Sequence, residues 1–403
     1  MTRRLWLLRA ASMIACSAKA DTHDNPYDGI LRSEFKRGNL AGLQACVIED
    51  GKPAWFNAYG LADVQRRVSM TPDTVINIAS VSKTVTACAV MQLWEKRKLA
   101  LDETIDRYLP FPVRNPIHAT TAITARHLLA HTSSIADGPA YAPSYSCGTS
   151  TPALRDWLSE YVRPRGRYYS QENFNTWPPG QRFQYSNVGF GLLGCAVEAV
   201  SGQPFSAYCH REIFQPLGMQ STSFGASNVS SAQQAIPYTI AEEGRPRERV
   251  VREGGGAALE WNGTFYIPNC LYSFPTFPDG LVRTTVRDFS RFMSAVLCSG
   301  DFEGHRILRP GTPEKMFDEQ FPNALRPSSW PAVQGLAWYA IRLPDSSLVW
   351  LHTGADPGVG TVAICYPPRR SAVLLFANTA PAEGLSDLAG TCLRQAARSS
   401  ATR

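Results

Sequence analysis

Asn77-Ile-Ala-Ser80-Val-Ser-Lys83-Thr-Val-Thr-Ala-Cys-Ala-Val-Met-Gln-Leu-Trp94 reads as a helix with a hydroxyl near its start and an amine one turn later. Residues i and i+3 of a helix share a face, so Ser80 and Lys83 can touch. A serine hydroxyl is a weak nucleophile until a base takes its proton. Lysine can be that base once its pKa falls from about 10.4 toward neutrality, a change of about 3 units or about 4 kcal/mol. The apolar run after Lys83 offers burial, and the helix start offers the positive end of a dipole; both favour the neutral amine. The same Ser-x-x-Lys spacing recurs at Ser33-Glu-Phe-Lys36, with charged neighbours and no apolar helix behind it. The spacing therefore carries chemistry only if partners for Ser80 exist elsewhere.

At 403 residues, 44% hydrophobic and 18% charged, the chain has the composition of a globular protein with a large core. No apolar run reaches the roughly 18 residues of a membrane-spanning helix. Arg3 and Arg4, then Leu5-Trp-Leu-Leu8, then small residues ending in Ala18-Lys-Ala20-Asp21 read as an export signal over residues 1–20, cleaved after Ala20. The expected location is periplasmic or secreted, with lipoprotein anchoring at Cys16 as an alternative. The formal charge of +6 comes largely from this leader, because without Arg3, Arg4, Arg9 and Lys19 there are 36 basic residues against 34 acidic. No basic run with interleaved aromatics suggests a nucleic-acid partner. The ten cysteines include no C-x-x-C pair. Nine follow Ala20, so at least one stays unpaired; Cys88 and Cys195 sit in apolar runs and read as core residues, while the pairing of the others is left open.

Gly42–Ile48 and Ala54–Tyr59 read as strands of a hairpin turning at Asp50-Gly51. A polar connection is expected over 60–74, and the Ser80 helix is expected to run to about Arg97. Short helices follow at 125–134 and 154–162, then an apolar helix at 187–200 ended by Ser201-Gly202, continued by 205–214, and a further helix at 286–297. Residues 225–280 are rich in Gly, Pro and Ser and read as a surface segment that shapes a cleft. Strands are expected at 335–343, 348–352, 360–366 and 372–377, with a closing helix at 385–397. Strands thus gather at both ends of the chain. The expected fold is α/β (α+β): an antiparallel sheet built from residues 21–110 and 281–403 and flanked by helices, with a mainly helical lobe at 111–280 inserted between. A site is expected in the cleft between the two.

Tyr185-Ser-Asn187 lies just before the helix at 187–200. In an extended segment a phenol and an amide two residues apart project the same way. The phenol can relay the serine proton to a leaving group, and the amide can bond a substrate carbonyl and the lysine amine. His352-Thr353-Gly354 ends the apolar strand Leu348-Val-Trp-Leu351 and precedes Ala355. A residue as small as Gly354 is expected to let a substrate lie close to the strand, where backbone N–H groups can form an oxyanion hole with that of Ser80.

Together, Ser80-Val-Ser-Lys83, Tyr185-Ser-Asn187 and His352-Thr353-Gly354 resemble, in order and kind, the signatures of the serine hydrolase family of class C β-lactamases and D-alanyl-D-alanine carboxypeptidases, with its related esterases, D-aminopeptidases and transacylases. Leu128–Ile135, Pro179-Gly180 and Pro278-Asp-Gly280 look like the same family. The resemblance covers about residues 30–395. It implies a β-lactamase/transpeptidase-like fold and an acyl-Ser80 intermediate on amide or ester substrates. It also implies that Lys83 and Tyr185 share base and acid duties and that Asn187 positions the substrate and Lys83. His352 and Thr353 would bind the acyl side or a carboxylate, and the N–H groups of Ser80 and Ala355 would form the oxyanion hole. No cofactor or metal is implied; the partner is a small-molecule or short-peptide substrate, and the oligomeric state is left open. His352 stands where β-lactamases of the family carry lysine, which turns the expectation toward carboxypeptidase or esterase members. The segment 141–180 is long for the family.

Three other readings compete. A class C-like β-lactamase is the nearest, and a non-catalytic binding protein on the same fold is the second. A zinc site at His127-Leu-Leu-Ala-His131 is the third, but it lacks the glutamate of H-E-x-x-H, and both histidines read as structural. An α/β-hydrolase is disfavoured because the chain has no Gly-x-Ser-x-Gly elbow.

Overall fold

The computed structural model describes residues 25–399 apart from 38, 226–232, 253–256, 329, 332, 343–345 and 383. Residues 1–20, read above as an export signal, lie outside the described residues, Cys16 among them.

An eight-stranded antiparallel sheet takes its strands from both ends of the chain. Its order is Val333–Gln334, Tyr339–Arg342, Leu348–Asp356, Val359–Tyr366, Ser371–Ala377, Gly42–Glu49, Lys52–Asp63 and Val68–Ser69. The central strands bury both faces, which is why Gly42–Ile48 is apolar on both except at Gln44, whose buried amide donates to the Thr71 and Thr74 carbonyls. Leu43, Ala45 and Val47 pack with Tyr27, Leu31, Leu388 and Leu393 of the two terminal helices, Pro26–Arg37 and Leu385–Ser399. Cys46 and Ile48 point the other way, into the main core with Phe289 and Phe292 of the helix Val286–Leu297. The hairpin turns at Asp50-Gly51, both with positive φ of 49° and 76°, the conformation that matches the twist of two-residue hairpins.

The helix Ser82–Glu95 is buried on every side, as its apolar sequence requires. Ser80 itself sits one turn earlier, in a short 3-10 turn at Ala79–Val81, rather than in the α-helix. The middle of the chain supplies the helices Ala125–Leu129, Leu154–Val162, Asn187–Ser201 and Phe205–Cys209. Gly202, at φ 71°, caps the third of these in the left-handed conformation. The expected helix 205–214 changes at His210–Phe214 to a π-helical turn.

Several local expectations need correction. The hairpin strand continues through Gly60 to Asp63, and Val68–Ser69 adds a further strand, so 60–74 is not merely a connection. Gly335–Leu343 is not one strand: Val333–Gln334 and Tyr339–Arg342 form a hairpin that turns through Ala337 at φ 66°. Residues 225–280 hold a second sheet, with Tyr238–Glu242, Thr264–Pro268 and Leu259–Trp261 adjoining Thr379–Ala380. Leu259–Trp261 and Thr264–Pro268 turn at Asn262-Gly263, a hairpin signal masked by the glycine-rich composition, whereas Tyr238–Glu242 finds Thr264–Pro268 and Thr379–Ala380 farther along the chain. Cys147 and Cys270 form a disulfide, while Cys88 and Cys195 are buried thiols in the core. Among the described residues no helix is long and apolar enough to cross a membrane.

Candidate active site

Ser80 stands on a strained turn. The preceding Ala79 has φ 46°, a left-handed conformation that costs an L-residue about 1–2 kcal/mol. The Asn77 side chain helps hold it, its Oδ1 accepting from the Ala79 N–H at 2.9 Å. From there the helix begins and brings Lys83 around beneath Ser80.

Lys83 is fully buried. Its Nζ lies 3.1 Å from Ser80 Oγ, 2.6 Å from Asn187 Oδ1 and 2.7 Å from the carbonyl oxygen of Asp279. Burial pushes its pKa below the ordinary lysine value, against the pull of the Asp279, Asp137 and Asp356 carboxylates. The Asn187 and Asp279 oxygens can only accept, so in the neutral form of the amine they occupy both of its N–H groups. The remaining lone pair then faces the Ser80 hydroxyl.

Asn187 is held in this orientation by Asp137. Its Nδ2 donates to Asp137 Oδ2 at 2.8 Å, and its backbone N–H donates to Oδ1 at 2.8 Å. The Val188 N–H adds a bond to Asp137 Oδ1 at 3.0 Å. A carboxylate at the exposed N–H groups of a helix start satisfies donors that have no partner within the helix. Because Nδ2 is committed to Asp137, Oδ1 is the atom left for Lys83.

The Tyr185 ring lies under the Lys83 amine, with Nζ 5.0 Å from its centroid, and stacks on His131 at 4.3 Å. The His131 Nδ1 accepts from the Ser186 N–H at 3.1 Å, which ties the segment carrying Tyr185 to residue 131. Burial raises the Tyr185 phenol well above its usual range, and its hydrogen bond with Ser80 offsets this only in part. The phenol is therefore kept protonated. His127 instead bonds Thr124 and stacks on Phe321 at 4.9 Å, so the two histidines of the 127–131 segment serve separate packing contacts. Among the described residues no group of three or more His, Cys, Asp or Glu side chains could hold a metal ion.

The motif at 352–354 lies inside the strand Leu348–Asp356 rather than at its end. His352 is buried, and its Nδ1 faces the Thr353 carbonyl oxygen at 2.7 Å. That oxygen can only accept, so Nδ1 carries the proton. Burial, and after it the proximity of Lys83, pushes the His352 pKa down to about 3. The Tyr339 hydroxyl engages both the Thr353 hydroxyl at 2.6 Å and its N–H at 2.9 Å. Ala355 is exposed to the cavity. Gly354 does not make room for a substrate, as the sequence suggested. Its missing side chain faces the Ser80 turn, where a Cβ would sit 2.6 Å from the Ile78 carbonyl oxygen and would also strike Thr361 Oγ1. The glycine lets strand and turn touch.

These groups line a cavity of about 430 Å³ containing Ser80, Tyr185, Asn187, His352, Thr353 and Ala355. The structure thus brings Ser80, Tyr185, Asn187, His352, Thr353 and Ala355 together around one cavity, with Lys83 in the floor behind Ser80 and Gly354 packed against the Ser80 turn. It adds residues that local spacing could not reveal. Asp279 accepts from Tyr141 at 3.2 Å, and Asp356 accepts from Tyr145 at 2.8 Å. Burial raises both carboxyls, that of Asp356 to about 6. Both tyrosines come from the long 141–180 segment, and the Cys147–Cys270 disulfide pins that segment beside the Tyr272–Ser273 strand. Only Asp279 had a signal in the sequence, in Pro278-Asp-Gly280. Asp137 lies two residues beyond the Leu128–Ile135 stretch.

The family profile described as Beta-lactamase matches residues 27–397. Esterase EstB of Burkholderia gladioli is 30% identical over 267 residues, which are 63% of this chain and 64% of EstB. Protein flp of Staphylococcus aureus (strain NCTC 8325 / PS 47) is 28% identical over 213 residues, 53% of this chain and 41% of flp. The chain therefore spans less than two thirds of the length of either relative. The solved structure of D-amino acid amidase from Ochrobactrum anthropi SV3 complexed with L-phenylalanine superposes with a TM-score of 0.70 at 24% identity. That likeness covers 94% of this chain and 99% of the amidase and shows a shared fold.

Proposed function

The chain belongs to the beta-lactamase family of hydrolases, and from that premise we propose that it cleaves ester or amide bonds by passing the acyl group through Ser80. The observation that carries this reading is the setting of Lys83, whose Nζ has two acceptor-only partners and 3.1 Å to Ser80 Oγ.

Ser80 Oγ attacks the substrate carbonyl as its proton moves to the neutral amine of Lys83. The carbonyl oxygen gains charge and is received by the N–H groups of Ser80 and Ala355. The C–O or C–N bond breaks, and the leaving group takes a proton from the Tyr185 phenol, which Lys83 replenishes. Water then attacks the acyl-enzyme by the reverse relay, giving its proton to the same pair and releasing Ser80. Asn187 holds Lys83 and positions the substrate from one side of the cavity. His352 and Thr353 line the other side and receive the acyl part.

The favoured substrates are esters and uncharged amides. His352, pushed down to about 3, stays neutral and offers a carboxylate no positive charge. The relative named as an esterase, EstB, supports the same direction. Export is proposed with it: the Cys147–Cys270 disulfide suits an oxidising compartment.

Labelling with a fluorescent fluorophosphonate, read by intact mass, tests the reading. Wild type should gain one adduct and Ser80→Ala none. No adduct on wild type, as expected of a non-catalytic binder, or an adduct that persists in Ser80→Ala, overturns it. Rates with a p-nitrophenyl ester, a D-Ala-D-Ala peptide and nitrocefin should rank in that order; fastest turnover of nitrocefin would assign a β-lactamase instead.

A further inference from the structure

We infer that Asn77 is a positioning residue that sets the spacing of the oxyanion hole, an inference that rests on the acyl-Ser80 reading above. The hole needs two N–H groups from separate segments. One belongs to Ser80 on its turn, and the other to Ala355 on the strand Leu348–Asp356. Donors of this kind act only when they are already in place as the charge forms.

The Asn77 amide reaches both segments. Its Oδ1 accepts from the N–H of Ala79, the neighbour of Ser80, at 2.9 Å. Its Nδ2 donates toward Oδ2 of Asp356, the neighbour of Ala355, at 3.5 Å, and toward the Tyr272 hydroxyl at 3.3 Å. The side chain is 2% exposed, so water does not compete for these bonds. Its own backbone is fixed by pairing with Arg283 in the strand Val282–Thr284. A second clamp lies on the far side of the turn, where Thr361 Oγ1 donates to the Ile78 carbonyl at 2.8 Å. Between the two clamps, Ala79 is kept at φ 46°, a conformation it would leave if released. Relaxation of Ala79 would carry the Ser80 N–H away from the Ala355 N–H, while Lys83, held from the Asn187 and Asp279 side, would stay in place.

The test compares wild type with Asn77→Ala and Asn77→Ser in the full chain. Serine keeps an oxygen able to accept from the N–H two residues on but loses the bond to Asp356. For hydrolysis of a p-nitrophenyl ester, Asn77→Ala should lower kcat by about 10- to 100-fold with KM changed less than about twofold, the signature of an interaction made in the transition state. An alkyl boronic acid, whose tetrahedral adduct places an oxygen in the hole, should bind weaker by a similar factor. Asn77→Ser should lie between, with a loss of about threefold to tenfold. A merely structural role would reduce the fraction of chain that titrates with fluorophosphonate and leave kcat per titrated site and boronate affinity at wild-type values. That result overturns the inference. If Asn77→Ala does not fold, wild-type kcat and boronate affinity in Asn77→Ser overturn it equally. A wild-type chain that forms no Ser80 adduct overturns the underlying reading and this inference together; a normal Ser80 adduct beside unaffected variants overturns this inference alone.

Discussion

Asp137 holds Asn187 at two points, accepting from its side-chain Nδ2 at 2.8 Å and from its backbone N–H at 2.8 Å. One carboxylate thereby satisfies the start of the helix Asn187–Ser201 and turns the asparagine oxygen toward Lys83. Asp137→Ala should cost stability on the scale of a lost helix cap, about 1 kcal/mol. It should also lower kcat about 10- to 100-fold, because misplacing a group that positions the base is costly. Urea unfolding and ester kinetics on the same preparation separate the two effects. Wild-type kcat in Asp137→Ala would show that Asn187 keeps its orientation without it.

Lys83→Ala removes the group 3.1 Å from Ser80 Oγ. Loss of a positioned base should slow acylation by about 10²–10⁴-fold. Stopped-flow measurement of a single turnover isolates this step from deacylation. Acylation at the wild-type rate would assign the base to another residue.

Gly354→Ala places a Cβ 2.6 Å from the Ile78 carbonyl oxygen. Neither that carbonyl nor Thr361 can retreat cheaply, because they are bonded to each other at 2.8 Å. Overpacking of this kind costs about 1–3 kcal/mol, and the strain falls on the Ser80 turn. Thermal unfolding should shift down and fluorophosphonate labelling should slow. A variant as stable and as reactive as wild type would contradict the packing described.

His352 links stability to pH. Its folded pKa of about 3 lies below the unfolded value of about 6.5. The unfolded chain therefore binds the extra proton first, and stability present above the unfolded pKa is lost as pH falls through this window. By pH 5 the loss from this group is about 2 kcal/mol, at about 1.4 kcal/mol per unit. Asp279 and Asp356, raised by burial, titrate in the opposite sense, so the test is a difference between chains that share them. Denaturant unfolding of wild type and His352→Gln at pH 7 and pH 5 should show wild type losing more. Equal losses would mean that His352 takes up its proton in the folded state.

The site was legible in the sequence where chemistry is local. Ser80 and Lys83 are one helical turn apart, and Tyr185 and Asn187 precede an apolar helix, so short-range geometry brings each pair together. The strand ending in Ala377 and the hairpin at Asp50-Gly51 were readable for the same reason. Asp137, Asp356 and the two tyrosines of the 141–180 segment were not, and Asp279 showed only as part of Pro278-Asp-Gly280, because each acts through a partner far away in the chain. Tyr145 and Asp356 are 211 positions apart and meet at 2.8 Å. Gly354 was singled out for the wrong reason: a missing side chain can make room for a substrate or for the protein's own backbone, and only the neighbours decide which.

The sequence by itself singled out Ser80 and Lys83 as the proposed nucleophile and base and indicated the mixed architecture, since these readings follow from helical spacing, apolar patterning and turn residues within short windows. Tertiary structure decided what those residues are worth chemically. It buried Lys83 beside oxygens that can only accept, kept Tyr185 protonated and His352 neutral, and fastened the Ser80 turn to the strand carrying Ala355 through Asn77 and Gly354 and to the neighbouring strand Val359–Tyr366 through Thr361. The reason is physical. A side chain's protonation and the aim of a backbone N–H depend on desolvation and on neighbours at about 3 Å, and in this chain those neighbours come from segments that only the fold brings together.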